Sequence, residues 1–122
     1  MNTPRRPIDL TALDLSEGWE PLKGYPAALQ VKLLSDDLDE TSKTGARTRI
    51  VRFAPGFATS ATLVHDYWEE VYLLEGDMQF EDGTGPSGIQ APAYSCRPPG
   101  TPHGPYGSRR GCLMLEWQYY RK

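Results

Sequence analysis

Two histidines, His65 and His103, are the only imidazoles in the chain. Imidazole and carboxylate together suit divalent transition metals, so the acidic residues near each histidine come first. His65 opens the segment HDYWEEVYLLEG, with Glu69 four residues on and Gly76 seven beyond that. His103 closes the segment PPGTPH, behind Pro98 and Gly100. Glu70, next to Glu69, reads as a solvated neighbour.

Other residue types could serve a ligand. Arg47 and Arg49 share one face of an extended segment, and Arg52 takes the other. A guanidinium can hold a carboxylate through two parallel bonds; exposed strand arginines paired with an acidic loop are the simpler expectation. Tyr72, Tyr94, Tyr106, Trp68 and Trp117 could wall a pocket or simply fill a core. Cys96 and Cys112 make no CxxC pattern and are expected to be buried free thiols. Asp36, Asp37, Asp39 and Glu40 lack the spacing of a calcium loop and read as a solvated acidic turn.

Short extended elements must position these groups. Strands are expected at Ala27–Leu34, Arg47–Phe53, Ala61–His65, Val71–Glu75, Met78–Glu81, Ala93–Arg97 and Gly111–Tyr120. Gly76-Asp77 reads as a tight hairpin connection, and 82–88 (DGTGPSG) as a loop. Pro98-Pro99-Gly100 should stop one strand. Residues 1–18 read as an arm, with a helical turn near Thr11–Leu15, and 19–122 as the domain. Many short strands between Gly and Pro turns predict an all-β antiparallel sandwich or barrel.

The chain has 122 residues, one domain's length. Its net charge of −3 carries no footprint for nucleic acid. No apolar run is long enough to cross a bilayer, and the start shows no secretory signal. Two free thiols fit a reducing cytoplasm.

The two histidine segments resemble the cupin superfamily, specifically small bacterial cupins of the RmlC-like jelly-roll type, similar to ChrR-type and diketone-cleaving dioxygenase cupins. The first cupin motif reads G…H-x-H-x(3,4)-E-x(6)-G, and His65, Glu69 and Gly76 match its second half. The second reads G-x(5)-P-x-G-x(2)-H-x(3)-N, and Pro98, Gly100 and His103 match it. The likeness spans roughly residues 45–120. Two positions depart from the pattern. Leu63 stands where the first histidine would be, and Gly107 where the asparagine would be. In another register, His65 is the first histidine and Tyr67 the second; the first register keeps both the His–Glu and Glu–Gly spacings.

The resemblance implies a jelly-roll β-barrel with a metal site of His65, Glu69 and His103. Such a two-histidine, one-carboxylate set leaves positions for water, substrate or dioxygen. It favours Fe(II), with Zn, Ni or Mn as alternatives. Leu63, Tyr67, Tyr72, Tyr94, Cys96, Tyr106 and Trp117 are candidates to line the substrate pocket. The leading expectation is a non-haem Fe(II) dioxygenase cleaving a C–C bond in a β-dicarbonyl or hydroxy-ketone. Two alternatives stay open: a non-redox metal-dependent hydrolase, isomerase or lyase, and a non-enzymatic sensor. Sensor cupins of this kind regulate a sigma factor through an attached helical domain, for which the 18-residue arm is short. The expected partners are a small-molecule substrate and a second copy of the chain, through the arm and the closing aromatic strand, with neither nucleic acid nor membrane.

Overall fold

A computed structural model describes residues 4–81 and 88–121. Among these residues there are eight strands: β1 (Glu20–Pro21), β2 (Leu29–Asp36), β3 (Ala46–Phe53), β4 (Trp68–Phe80), β5 (Ile89–Gln90), β6 (Ala93–Arg97), β7 (Tyr106–Gly107) and β8 (Cys112–Tyr119). Every pairing is antiparallel. A broad sheet runs β1-β2-β3-β8-β4, with β6 on the far side of β4. The second half of β4 leaves this sheet and pairs with β5 and β7. The result is an antiparallel jelly-roll barrel, as expected. Its wall begins at Glu20, well before residue 45, because β2 lies along the whole of β3, from Leu29 opposite Phe53 to Asp36 opposite Arg47.

Alternation sorts the side chains. Along β4, Glu69, Val71 and Leu73 are buried, while Tyr72 and Leu74 are exposed. Leu29, Val51, Phe53, Val71, Leu73, Cys112 and Met114 form one apolar cluster inside the barrel. Each such side chain contributes roughly 1.5–3 kcal/mol by leaving water.

Three expected elements are corrected. Gly76-Asp77 is not a hairpin, since β4 runs through it. The register slips between Leu73 and Glu75, leaving Leu74 as the extra residue of a bulge. Gly76 has φ +85°, and a Cβ there would meet the Gly111 carbonyl oxygen at 1.9 Å, so the strand bends hard against the next turn. Ala61–His65 is not a strand. It forms an isolated bridge at Leu63–His103 and no ladder, and the facing segment contains Pro102 and Pro105, which have no N–H for a continuous one. The arm has no helical turn at Thr11–Leu15; Asp14 instead accepts a bond from the Ser16 amide at 2.9 Å and shapes a turn at Leu15–Ser16. The loop expected at 82–88 lies, apart from Gly88, outside the described residues.

Candidate metal centre

Backbone hydrogen bonds join the two histidine segments. Leu63 and His103 exchange both bonds, at 2.7 and 2.9 Å, and the Gly100 amide donates to the His65 carbonyl at 2.8 Å. Gly100 has φ +80°, a conformation that glycine adopts without strain. Glu69 comes from the inward face of β4. His65, Glu69 and His103 thereby each present one ligand atom, all within 4.8 Å of one another. The His103 Nε2 atom lies 3.5 Å from Glu69 Oε1.

The side chains are set for metal chemistry. His103 Nδ1 lies 3.2 Å from the Thr101 carbonyl. A carbonyl only accepts, so Nδ1 carries the hydrogen and Nε2 faces Glu69. The His65 ring stacks on Tyr67 at 4.6 Å. Desolvation, with help from the His103 and Arg49 charges, holds its pKa below the ordinary value and favours the neutral, ligating imidazole. Desolvation pushes the Glu69 carboxyl upward, but the Gln118 hydrogen bond and the Arg97 charge outweigh it and keep the pKa below normal. Bonds of about 2.1 Å to N and O require donors some 3–4 Å apart. The pair at 3.5 Å fits, and the N, N, O donor set suits a divalent transition metal.

A row of polar side chains supports Glu69. Arg97 on β6, Glu69 on β4, Gln118 on β8 and Arg47 on β3 are register partners pointing inward. Arg97 Nη1 donates to Glu69 Oε1 at 2.7 Å, and Nη2 to the Tyr106 hydroxyl at 2.8 Å. Gln118 Nε2 donates to Glu69 Oε2 at 2.5 Å, and its Oε1 accepts from Arg47 Nε at 2.6 Å. The next row holds the pair Arg49 Nε to Glu116 Oε1, at 2.7 Å. Arg47 and Arg49 therefore face the interior, correcting the expectation of exposed arginines. Arg52 faces outward, over the Trp19 ring and against Gln30.

Arg47, Arg49, Arg97 and Glu116 line a cavity of about 460 Å³ together with His65, Glu69 and His103. Of the pocket candidates, Leu63 and Tyr106 line it; Tyr94 borders it, but its side chain is exposed on the outer face and its hydroxyl donates to Glu70. Tyr67 is buried beside His65, and burial pushes its phenol up to about 12, so it is a poor metal ligand at neutral pH. Tyr72 and Trp117 stand on the outer face of the sheet, Tyr72 opposite Tyr94 and Trp117 opposite Glu70, whose partner on the other side is Cys96. Cys96 is exposed rather than buried and borders a second recess beside His103. Cys112 is buried, and desolvation pushes its thiol up to about 11. The acidic turn folds on itself: Asp39 accepts bonds from the Thr41 and Ser42 amides.

Sequence reading missed Arg97, Gln118 and Glu116. Arg97 had one local signal, its place immediately before Pro98 of the second motif.

A family model described as the ChrR cupin-like domain matches residues 15–119. The chain belongs to the ChrR cupin-like family. Solved cupin structures superpose on it. An acetylacetone dioxygenase from Acinetobacter johnsonii aligns with a TM-score of 0.69 at 19% identity, covering 98% of this chain and 78% of that one. An RmlC-like cupin from Shewanella frigidimarina gives 0.68 at 16% identity, covering 94% of each chain. The structure of Rhodobacter sphaeroides SigE in complex with the anti-sigma ChrR gives 0.62 at 19% identity, covering 85% of this chain and 50% of that one. At these identities the likeness is one of fold. Among curated proteins, none matches by sequence. In this ChrR-like cupin, no helix among the described residues is long and apolar enough to cross a membrane.

Proposed function

We propose that this cupin is a small metal-dependent enzyme, a non-haem Fe(II) dioxygenase cleaving a C–C bond in a β-dicarbonyl or hydroxy-ketone. The observation that carries the reading is the convergence of His65, Glu69 and His103 on one cavity wall. Leu63, which bridges to His103, offers no donor atom, so three protein ligands leave positions open for substrate and dioxygen. A bound Fe(II) supplies Lewis-acid polarisation and electron transfer to dioxygen.

The chain's own residues do the rest. Thr101 orients the His103 ring through Nδ1. Gln118 and Arg97 fix the Glu69 carboxylate and keep it ionised. Leu73, Met78 and Met114 line the apolar part of the cavity and exclude water around the reacting carbons. The fold likeness to an acetylacetone dioxygenase supports the choice of reaction.

One observation favours a second reading, a metal-free binding module. Arg97 already places a positive charge on the Glu69 oxygen that faces His103. Metal analysis of anaerobically purified protein, with oxygen uptake on a panel of 1,3-dicarbonyls, tests both. Iron near one per chain and one O₂ consumed per bond cleaved support the dioxygenase. Oxygen-independent turnover points to a hydrolase, isomerase or lyase. No metal at all points to the binding module.

A cytoplasmic setting, in which both thiols stay reduced, belongs to the same proposal. So does a homodimer. Leu10 and Leu13 of the arm and Tyr72 and Trp117 of the outer sheet are exposed apolar surface that a second copy would cover. Light scattering at micromolar concentration should give twice the chain mass; a monomer refutes the dimer.

A further inference from the structure

The cavity is divided by chemistry. Leu29, Val51, Phe53, Leu73, Met78 and Met114 line one part, and Arg47, Arg49, His65, Glu69, Arg97 and His103 another. The division follows the inward rows of the barrel. Arg97–Glu69–Gln118–Arg47 comes first, then Val71–Glu116–Arg49, then the apolar row Ala93–Leu73–Met114–Val51.

The three interior arginines are not equivalent. Arg97 spends both terminal nitrogens, on Glu69 and on Tyr106. Arg49 pairs with Glu116 through Nε alone. Arg47 uses only Nε, and its partner is the neutral amide of Gln118. Among the described residues, the Nη groups of Arg47 and Arg49 donate no hydrogen bond. No buried nitrogen or oxygen lacks a partner among those residues, so these groups open onto accessible space, and both residues line the cavity. They are two positions apart on one face of β3, about 6.6 Å along the strand. Arg97 and Arg49 each pair with a carboxylate, whereas Arg47 makes no ion pair among the described residues; Asp36, opposite it on β2, accepts a bond from the Leu38 amide.

We propose that Arg47 and Arg49 form a carboxylate seat, so that the ligand of this cavity is an organic acid. Its charged head lies on β3 beside His65 and Glu69, and its hydrocarbon lies over Leu73 and Met114. A guanidinium presents paired N–H donors in the geometry of a carboxylate, and low polarity strengthens the bond. This names a substrate class for the proposed enzyme and rests on that reading only in placing the head near the metal ligands. The seat itself needs no metal.

The probe pair is hexanoate and hexanamide, equal in shape and different in charge. Both are titrated calorimetrically into EDTA-treated protein and into Zn(II)-loaded protein, for the parent, Arg47→Gln and Arg47→Lys. The metal-free parent should bind hexanoate about tenfold or more tighter than hexanamide, the difference made by one charge-assisted pair. Arg47→Gln should abolish that preference, and Arg47→Lys should keep most of it. Equal binding of the two probes, no hexanoate binding at millimolar concentration, or a preference that survives Arg47→Gln overturns the seat. Hexanoate binding confined to the Zn(II)-loaded protein also overturns it, leaving the metal reading intact. An Arg47-dependent preference in a protein that takes up no metal keeps the seat and removes the dioxygenase.

Discussion

Leu63 and His103 exchange both of their backbone hydrogen bonds, and this places their side chains next to each other on the cavity wall. Directly opposed residues have Cβ atoms about 5 Å apart. Leu63→His should therefore add a fourth donor beside His103 and tighten Zn(II) binding, while slowing any reaction that needs the open position. His103→Ala should remove most metal affinity, because His65 and Glu69 come from one short segment and cannot enclose an ion. Titration of both variants with Zn(II) and Fe(II) checks this. A Leu63→His variant that binds as the parent does would place residue 63 outside the coordination sphere.

Gln118 is the most deeply buried polar side chain, at 1% exposure, and joins Glu69 to Arg47. Gln118→Leu conserves volume and strands both partners. The expected loss is about 2 kcal/mol of stability and tenfold or more in metal affinity. Urea unfolding and Zn(II) titration measure the two effects separately. Unchanged affinity would mean that Glu69 holds its orientation through Arg97 alone.

Gly76 and Gly24 separate backbone strain from collision. Both have positive φ, but a Cβ on Gly24 meets nothing within 4 Å, whereas one on Gly76 strikes the Gly111 carbonyl. Gly24→Ala should cost about 1–2 kcal/mol. Gly76→Ala should cost about 3 kcal/mol or more, a fall of roughly 10 °C in thermal midpoint. Equal midpoints for the two variants would show that the bend at Gly76 can relax.

Asp77 gives the fold a pH dependence whose sign is set. Its buried carboxylate accepts bonds from the Arg110 and Arg109 amides, at 2.9 and 3.2 Å, and from the Ser108 hydroxyl at 2.9 Å. The Arg110 amide bond is the largest influence, and together these donors hold the carboxyl below its ordinary pKa. The unfolded chain then binds the proton more tightly, so the stabilisation is complete above about pH 4 and is lost as pH falls through the folded pKa. Asp77→Asn should destabilise by about 1–3 kcal/mol near neutrality, and the gap from the parent should close in acid. Denaturant unfolding across this range is the measurement. A gap independent of pH would show that the charge is not what the loop at 108–110 requires.

His65, Glu69, Gly76, Pro98, Gly100 and His103 were legible through their match to the two cupin motifs, each confined to about a dozen residues of chain. Alternation likewise set Arg47 and Arg49 on one face and Arg52 on the other before any fold was known. Alternation cannot say which face is the inside; only the pairing of β3 with β2 and β8 turned Arg47 and Arg49 inward. Arg97, Gln118 and Glu116 were illegible for the same reason. Gln118 lies 49 residues from Glu69 and 71 from Arg47, and it meets them through strand register, which no local pattern encodes. Gly76 shows the limit most directly. A glycine before an aspartate looks like a turn, but here the turn at Gly111 presses against the backbone and bends a strand that continues to Phe80. Residue types within one segment decide which ligands are available. Distant strands, brought side by side by burial of their apolar faces, decide which charges surround those ligands.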